Sequence, residues 1–211
     1  MGNQVWAVII KNKGFYISYL VFLVVASVIQ VVYTQEYISR VVNKFHSPII
    51  DTIAKYGTHI GDGWFALPIL LLLLSLHKNI KTLIIHTCVL YIPALITQLL
   101  KHTWFKEAKR PMAKLANQEL IHLVEGVEIH INNSFPSGHS TSAFALFLLL
   151  SYQTKQASLQ TLCLIFAVAV ALTRVYLMQH FFEDIFAGSM IAVTCGTLIT
   201  ALTNKPHASQ T

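Results

Sequence analysis

Long apolar runs dominate this sequence and limit what it can fold into. They cover residues 14–33, 63–76, 82–100, 140–152, 157–177 and 185–203. Four of the runs are close in length to a membrane-spanning α-helix, which needs about 20 residues to cross a bilayer. The two short runs, 63–76 and 140–152, are expected to extend outward through 56–62 and 137–139. The sequence therefore predicts an all-α integral membrane protein with about six transmembrane helices.

Length and composition favour a single membrane-embedded domain over residues 1–211. The chain has 211 residues, of which 55% are hydrophobic and 11% charged, and its mean hydropathy of +0.58 lies outside the range of soluble domains. The first run is too long for a signal peptide and no Ala-x-Ala follows it, so we expect a retained helix.

Two longer segments, about 34–62 and 103–136, are predicted to form outer loops. Apolar positions in the first recur at helical spacing, so part of it is expected to lie flat on the membrane surface, with Pro48 starting or interrupting the helix. Gly61-Asp62-Gly63 is predicted to be a turn before the second helix. The second segment is the longest polar stretch and is expected to form a cap or a headgroup-selecting surface.

Charge placement predicts the orientation. With six helices, one side of the membrane carries both termini and no Asp or Glu, and its basic residues are Lys11, Lys13, Lys78, Lys81, Lys155 and Lys205. The positive-inside rule makes this side cytoplasmic. The polar motifs described next then face the exterior or periplasm of a cytoplasmic (inner) membrane. Nucleic-acid binding is not expected, since there is no extended basic patch.

The three cysteines argue against a disulfide framework and against a metal site. Cys88, Cys163 and Cys195 all fall within predicted helices and share no ligand spacing. The sequence also offers no clear carboxylate cluster for Mg²⁺. We therefore predict no metal and no cofactor.

His180 and Asp184 form the first candidate catalytic pair. Four residues apart on a helix, they share one face, so the carboxylate can fix the imidazole tautomer and leave the other ring nitrogen free to attack. Arg174 closes the fifth apolar run, where an unpaired cation is costly, and it needs an anion. A phosphate beside His180 could supply that anion, or Asp184 could pair with Arg174 instead.

The stretch Pro136-Ser137-Gly138-His139 resembles a turn that enters a helix. Pro136 suits the first positions of a helix, and either Ser137 or Ser134 could cap it. Gly138 would let backbone N–H groups approach an anion at the helix N-terminus. His139 could then give a proton to a leaving oxygen. The alternative is a cap and turn without a catalytic role.

Lys101 and Arg110 supply two further cations at the outer end of the third long run. They could be snorkelling anchors at the membrane surface. They could also bind phosphate, because Arg offers a planar fork and Lys a point charge.

These residues resemble the type 2 phosphatidic acid phosphatases, a superfamily that also contains vanadium haloperoxidases and glucose-6-phosphatase. Its pattern is Lys-x6-Arg-Pro, then Pro-Ser-Gly-His, then Ser-Arg-x5-His-x3-Asp. The second element is complete at 136–139, and the third is present with Thr173 in place of Ser. The first element departs from the pattern, because eight residues separate Lys101 from Arg110.

The resemblance implies a helical core of the haloperoxidase type and a role for each motif residue. His180 would be the nucleophile that forms a phosphohistidine, with Asp184 orienting it. His139 would protonate the leaving alkoxide and then activate water. The residues that would hold the phosphate are Lys101, Arg110, Ser137, Gly138 and Arg174.

The predicted function is metal-independent hydrolysis of a lipid phosphate or diphosphate. The substrate would be phosphatidic acid, phosphatidylglycerol phosphate, undecaprenyl pyrophosphate or a lipid A phosphate, and no obligate protein partner is expected. One alternative is a lipid phosphotransferase that uses the same site. Another is a non-enzymatic binder or transporter of anionic lipid. A haloperoxidase is not expected, since those relatives are soluble.

Overall fold

A computed structural model describes residues 1–77 and 79–203, and the ordered elements in these ranges are all helical. Lys78 and Lys205, two of the lysines used to predict the orientation, lie outside the described residues. In chain order the helices are α1 (Gly2–Lys11), α2 (Lys13–Val32), α3 (Gln35–Lys44), α4 (Pro48–Gly57), α5 (Ala66–His77), α6 (Ile80–Thr103), α7 (Pro111–Lys114), α8 (Gly138–Ser151), α9 (Ala157–Tyr176) and α10 (Phe182–Thr203). Short 3-10 turns cover Thr58–Gly61, Gly63–Phe65 and Gln118–Leu120.

Every predicted apolar run forms a helix. Within residues 1–77 and 79–203, four helices are long and apolar enough to cross a membrane: α2, α6, α9 and α10. A fifth span is possible if Pro48–Gly61 and Gly63–Ser75 count as one broken helix, bent by 69°. The predicted outward extension of the second run is therefore not a straight helix, because the backbone at Asp62 is extended and interrupts it.

Helix α8 lies at the centre of the bundle, against α6, α9 and α10. Most of its side chains are buried, including Phe144 and Leu148, as expected for a helix surrounded by others. It begins at Gly138, in agreement with the predicted extension of the fourth run. Gly188 lets α10 approach closely, because a Cβ at that position would lie 2.7 Å from the backbone oxygen of Ser137.

The three motif stretches meet at one end of the bundle. The N-termini of α8 and α10 adjoin the C-termini of α6 and α9 there. The opposite end holds the α1–α2 junction, where the backbone N–H of Gly14 donates to the Gln160 side chain at 3.0 Å. Lys11 and Lys13 flank that junction. The bundle therefore separates the motif stretches from this pair of predicted inner lysines.

The outer segments pack on each other above the motif end. The predicted surface helix is two helices, α3 and α4, and Pro48 occupies the first turn of α4, whose N-cap is Ser47. The segment between α6 and α8 lies over them, with its His122 Nε2 2.9 Å from Asp51 Oδ2. Both the cap and the headgroup-selecting surface stay predictions. Helix α1 had no counterpart in the sequence prediction.

Candidate active site

His180 and Asp184 form the predicted pair in a fully buried setting. His180 lies in the short connection between α9 and α10, and Asp184 lies in the first turn of α10; each is 1% exposed. His180 Nδ1 is 3.2 Å from Asp184 Oδ2. The same oxygen accepts hydrogen bonds from the hydroxyl of Ser134 and from the backbone N–H of Phe181. Because Asp184 engages Nδ1, the nitrogen left for attack on a substrate is Nε2.

The surroundings of His180 keep it neutral. Burial, followed by the nearby cations Arg110, Lys101 and Arg174, holds the pKa of His180 well below its usual value of 6.5. A neutral imidazole carries the lone pair that a nucleophile needs. The same cations that would bind a phosphate therefore also favour the reactive form of His180.

Residues from all three motif stretches line one cavity of about 410 Å³. Five predicted site residues contribute to its wall: Lys101, Arg110, Gly138, His139 and His180. The wall also contains Gly61, Asp62, Gly63, Ala94, Gln98 and Ser142. Lys101 is only 7% exposed, so it is not a snorkelling anchor.

Arg110 reaches the cavity despite the longer spacing from Lys101. Its Nη1 donates to both the backbone oxygen and the side-chain oxygen of Gln179, at 3.0 and 2.9 Å, and its Nε donates to the backbone oxygen of Asn132. Burial lowers the pKa of Arg110, and Asp184 opposes this change. Gln179 is itself buried, and no motif in the sequence pointed to it. Its position next to His180 is the one feature of the sequence from which a role in the site could have been predicted.

Arg174 contributes a hydrogen-bond donor without a partner. It is 7% exposed and its Nη1 donates to the hydroxyl oxygen of Thr58 at 2.8 Å. In the described part of the chain, its Nε is a buried donor that binds nothing. Arg174 forms no ion pair with Asp184 in this structure: its Nη1 binds Thr58, while Asp184 Oδ2 binds His180, Ser134 and Phe181. Arg174 is not among the residues that line the cavity, and its unpaired donor is one that a bound anion could satisfy.

Ser137 serves as the N-cap of α8. Its hydroxyl oxygen accepts from the backbone N–H of Ser140 at 3.4 Å and from the hydroxyl of Ser140 at 3.0 Å. Ser134, the other capping candidate, binds Asp184 instead. Ser137 is fully buried, whereas Gly138 and His139 line the cavity. The cap is therefore real, and it directs the first turn of α8 toward the site.

His139 pairs with a residue that sequence reasoning placed only in a turn. Its Nε2 lies 2.7 Å from Asp62 Oδ1. Within residues 1–77 and 79–203, no group of three or more His, Cys, Asp or Glu side chains is arranged to hold a metal ion. The metal-free mechanism stays a prediction.

Comparison with known proteins identifies the family. Residues 82–207 match the PAP2 superfamily, which covers more than half of the chain. The chain belongs to the PAP2 superfamily. The match includes all three motif stretches, from Lys101 to Asp184.

The individual relatives in this superfamily have low sequence identity to the chain. Phosphatidylglycerophosphatase B of Bacillus subtilis (strain 168) is 22% identical over 202 residues, which cover 89% of this chain and 93% of that protein. The crystal structure of Aquifex aeolicus LpxE has a TM-score of 0.67 and 22% identity, covering 77% of this chain and 92% of that one. The first transmembrane PAP2-type phosphatidylglycerolphosphate phosphatase from Bacillus subtilis has a TM-score of 0.64 and 23% identity, covering 88% and 93%. At this identity the two structures show the shared fold.

These findings confirm the predicted family and the all-α membrane fold. They also confirm the enzyme class, a membrane lipid phosphatase. The roles of the individual site residues stay predictions.

Proposed function

We propose that this PAP2 protein hydrolyses a lipid phosphate or diphosphate through a phosphohistidine on His180. One observation carries the proposal: a buried His180, held at Nδ1 by Asp184, borders a cavity whose wall also contains His139, Lys101 and Arg110. A nucleophile, a second imidazole and two cations on one cavity are the groups that phosphoryl transfer requires.

The first step forms the covalent intermediate. His180 Nε2 attacks phosphorus, and the bond between phosphorus and the ester oxygen breaks. His139 gives a proton to that oxygen, so the lipid leaves as an alcohol or, from a diphosphate, as a monophosphate. Asp184 stabilises the positive charge that develops on the His180 ring.

The second step regenerates the enzyme. His139, now neutral, takes a proton from water as that water attacks the phosphohistidine. The bond between phosphorus and nitrogen breaks, inorganic phosphate forms and His180 returns to its neutral state. His139 ends the cycle protonated, so no proton is gained or lost overall.

The cations and the start of α8 would hold the transferring group. Lys101 and Arg110 line the cavity, and Arg174 supplies its open Nε donor. The Gly138 backbone N–H lies at the N-terminus of a 14-residue helix, where an anion is stabilised. Ser137, which caps that helix, would act mainly by fixing the position of this amide. Together these groups neutralise the charge on the equatorial oxygens in the transition state.

The substrate would be phosphatidic acid, phosphatidylglycerol phosphate, undecaprenyl pyrophosphate or a lipid A phosphate. Phosphatidylglycerophosphate is the lipid named in both Bacillus subtilis matches described above, so we place it first among the candidates.

The test is phosphate release by the purified protein in detergent, with EDTA present, from a panel of these lipids. We expect release by the wild type and none from His180→Ala or His139→Ala. His130→Ala serves as the matched control, since His130 is an exposed histidine of the outer segment whose neighbour is Glu128. Release that persists in His180→Ala would refute the phosphohistidine.

Two other functions are distinguished by the same panel. A phosphotransferase would release little phosphate alone and would phosphorylate an added alcohol or lipid acceptor. A non-enzymatic binder would retain the lipid phosphate unchanged in a folded, monodisperse sample.

We also propose that the cavity faces the exterior or periplasm of the cytoplasmic membrane, with both termini inside. The support is the charge asymmetry together with the position of the cavity at the end of the bundle away from Lys11 and Lys13. In a chain with its cysteines replaced, Glu119→Cys should react with a membrane-impermeant maleimide in intact cells. Lys155→Cys should react only after permeabilisation. The reverse pattern would invert the orientation.

A further inference from the structure

Asp62 occupies a break between two helices at the edge of the cavity. It lies between the 3-10 turns Thr58–Gly61 and Gly63–Phe65, where the chain bends between α4 and α5. Each oxygen of its carboxylate is close to one imidazole. Oδ1 is 2.7 Å from His139 Nε2, and Oδ2 is 2.8 Å from His59 Nδ1. Asp62 also contributes to the cavity wall.

The turn that carries Asp62 is packed tightly against the catalytic elements. A Cβ on Gly61 would lie 2.8 Å from the backbone oxygen of His139 and 3.1 Å from its Cβ, so only glycine allows this approach. Thr58, at the start of the same turn, accepts from Arg174. The Tyr91 hydroxyl donates to the backbone oxygen of Gly63 at 3.1 Å. The contacts of Gly61, Thr58 and Gly63 therefore hold the turn in the position from which Asp62 reaches His139.

The charges around His139 show why it needs a carboxylate. In the proposed first step His139 must carry a proton, yet its burial, which is the largest effect, and most of the ionisable groups that face it oppose a positive charge. Those groups are Arg174 on α9, Lys101 on α6 and His180 in the connection before α10. Arg110 lies across the cavity, Asp184 lies behind His180, and His59 lies beyond Asp62. Asp62 is the carboxylate in direct contact with the ring, and it stabilises the imidazolium.

The contact also determines which ring nitrogen reacts. A carboxylate accepts a hydrogen bond and does not donate one, so His139 carries its hydrogen on Nε2. The lone pair of the neutral ring is then on Nδ1. Nδ1 would take the proton from water in the second step and deliver a proton to the leaving oxygen in the first.

We propose that Asp62 is the positioning residue of His139: it fixes the ring and its tautomer and supports the protonated form that acts as general acid. The proposal rests on the function proposed above. In it, Asp62 orients His139 in the same way that Asp184 orients His180. The two histidines would thus each have an aspartate, one from α10 and one from the α4–α5 break.

The test compares two leaving groups. An alkoxide leaving group must be protonated as it departs, whereas nitrophenolate is a weak base and departs without protonation. In Asp62→Asn, kcat for a lipid phosphate should fall on the order of 100-fold, whereas the pre-steady-state rate of nitrophenolate release from p-nitrophenyl phosphate, which reports the first step alone, should change by less than about threefold. The basic limb of the pH–rate profile for the lipid should also move to lower pH. Glu128→Gln is the matched control, because it removes an outer acid and leaves intact the backbone oxygen that binds Gln179.

A second measurement does not depend on turnover. In protein labelled with ¹⁵N-histidine, the His139 signals should titrate at lower pH in Asp62→Asn than in the wild type. Equal losses for both leaving groups, an unmoved pH profile or an unchanged His139 titration would each overturn the role of Asp62. If His139→Ala still hydrolyses the lipid phosphate, His139 is not the general acid and the proposed function fails. Failure of the proposed function is thus distinguished from failure of the role of Asp62 alone.

Discussion

The hydroxyl of Ser134 donates to Oδ2 of Asp184, the same oxygen that engages His180. The two residues lie fifty positions apart in the chain. Ser134 belongs to the end of the outer segment, and its backbone N–H is tied to the oxygen of Ala108 at 2.9 Å. The outer segment therefore reaches the carboxylate that orients the nucleophile.

This relationship predicts that Ser134→Ala slows the reaction without abolishing it. A hydrogen bond to a charged group contributes about 1.5–3 kcal/mol, so we expect a loss of roughly tenfold or more in kcat. Ser151→Ala is the matched control, since Ser151 is a buried serine at the far end of α8 whose hydroxyl bonds within its own helix. Steady-state phosphate release measures both variants, and equal activity in the two would contradict the prediction.

The buried neutral state of His180 predicts a pH-dependent stability. Its pKa is lower in the folded protein than in the unfolded chain, so below pH 6.5 the unfolded state binds a proton that the folded state does not. The contribution is therefore fully present above pH 6.5 and is lost as the pH falls toward the folded pKa. Its slope is at most about 1.4 kcal/mol per pH unit.

Thermal unfolding in detergent between pH 8 and pH 5 checks this sign. The wild type should lose more Tm than His180→Asn over the same interval, because the variant lacks the titrating ring. Parallel curves for the two proteins would show that His180 does not titrate on unfolding.

The open Nε of Arg174 predicts a stabilising anion effect. Inorganic phosphate should raise the Tm of the wild type, because at a phosphate concentration a hundred times its Kd the folded state is stabilised by about 2.7 kcal/mol. Arg174→Lys should lose most of this effect, because lysine lacks the planar fork, and kcat/KM should fall by roughly two orders of magnitude. Arg40→Lys controls for the substitution itself, since Arg40 donates to the backbone oxygen of Ala116 on the outer surface. A phosphate effect that survives in Arg174→Lys would remove Arg174 from the anion site.

Gly188 predicts a packing constraint between α10 and α8. A Cβ there would lie 2.7 Å from the Ser137 oxygen and 3.1 Å from the Thr141 hydroxyl oxygen, so Gly188→Ala must push the helices apart. We expect a cost of about 1–3 kcal/mol and a lower Tm. Gly57→Ala is the control, because nothing lies within 4 Å of its Cβ position and its backbone is helical. That change should leave Tm equal or slightly higher. A Gly188→Ala protein as stable as Gly57→Ala would show that the helices can adjust.

The sequence predicted the long helices α2, α6, α9 and α10 well because each depends on its own apolar run, whereas α1 was missed. It also predicted the contact of His180 with Asp184, but not its geometry, because His180 lies in the connection before α10 and not on the helix that the four-residue spacing implied. The contacts of Thr58 with Arg174 and of Asp62 with His139 were not predictable in this way. They join residues 116 and 77 positions apart, and only the folded bundle brings them together. The local pattern at Gly61–Gly63 showed a turn but gave no sign of what the turn touches.

The break between α4 and α5 has a consequence for water. Helix ends leave backbone groups without intrahelical partners, and at membrane depth such groups are tolerated where they are buried in protein or line a water-filled cavity. Gly61, Asp62 and Gly63 of this break line the cavity, so water in the cavity would solvate the break as well as the site. We expect the same water to serve as the nucleophile in the second step of the proposed reaction.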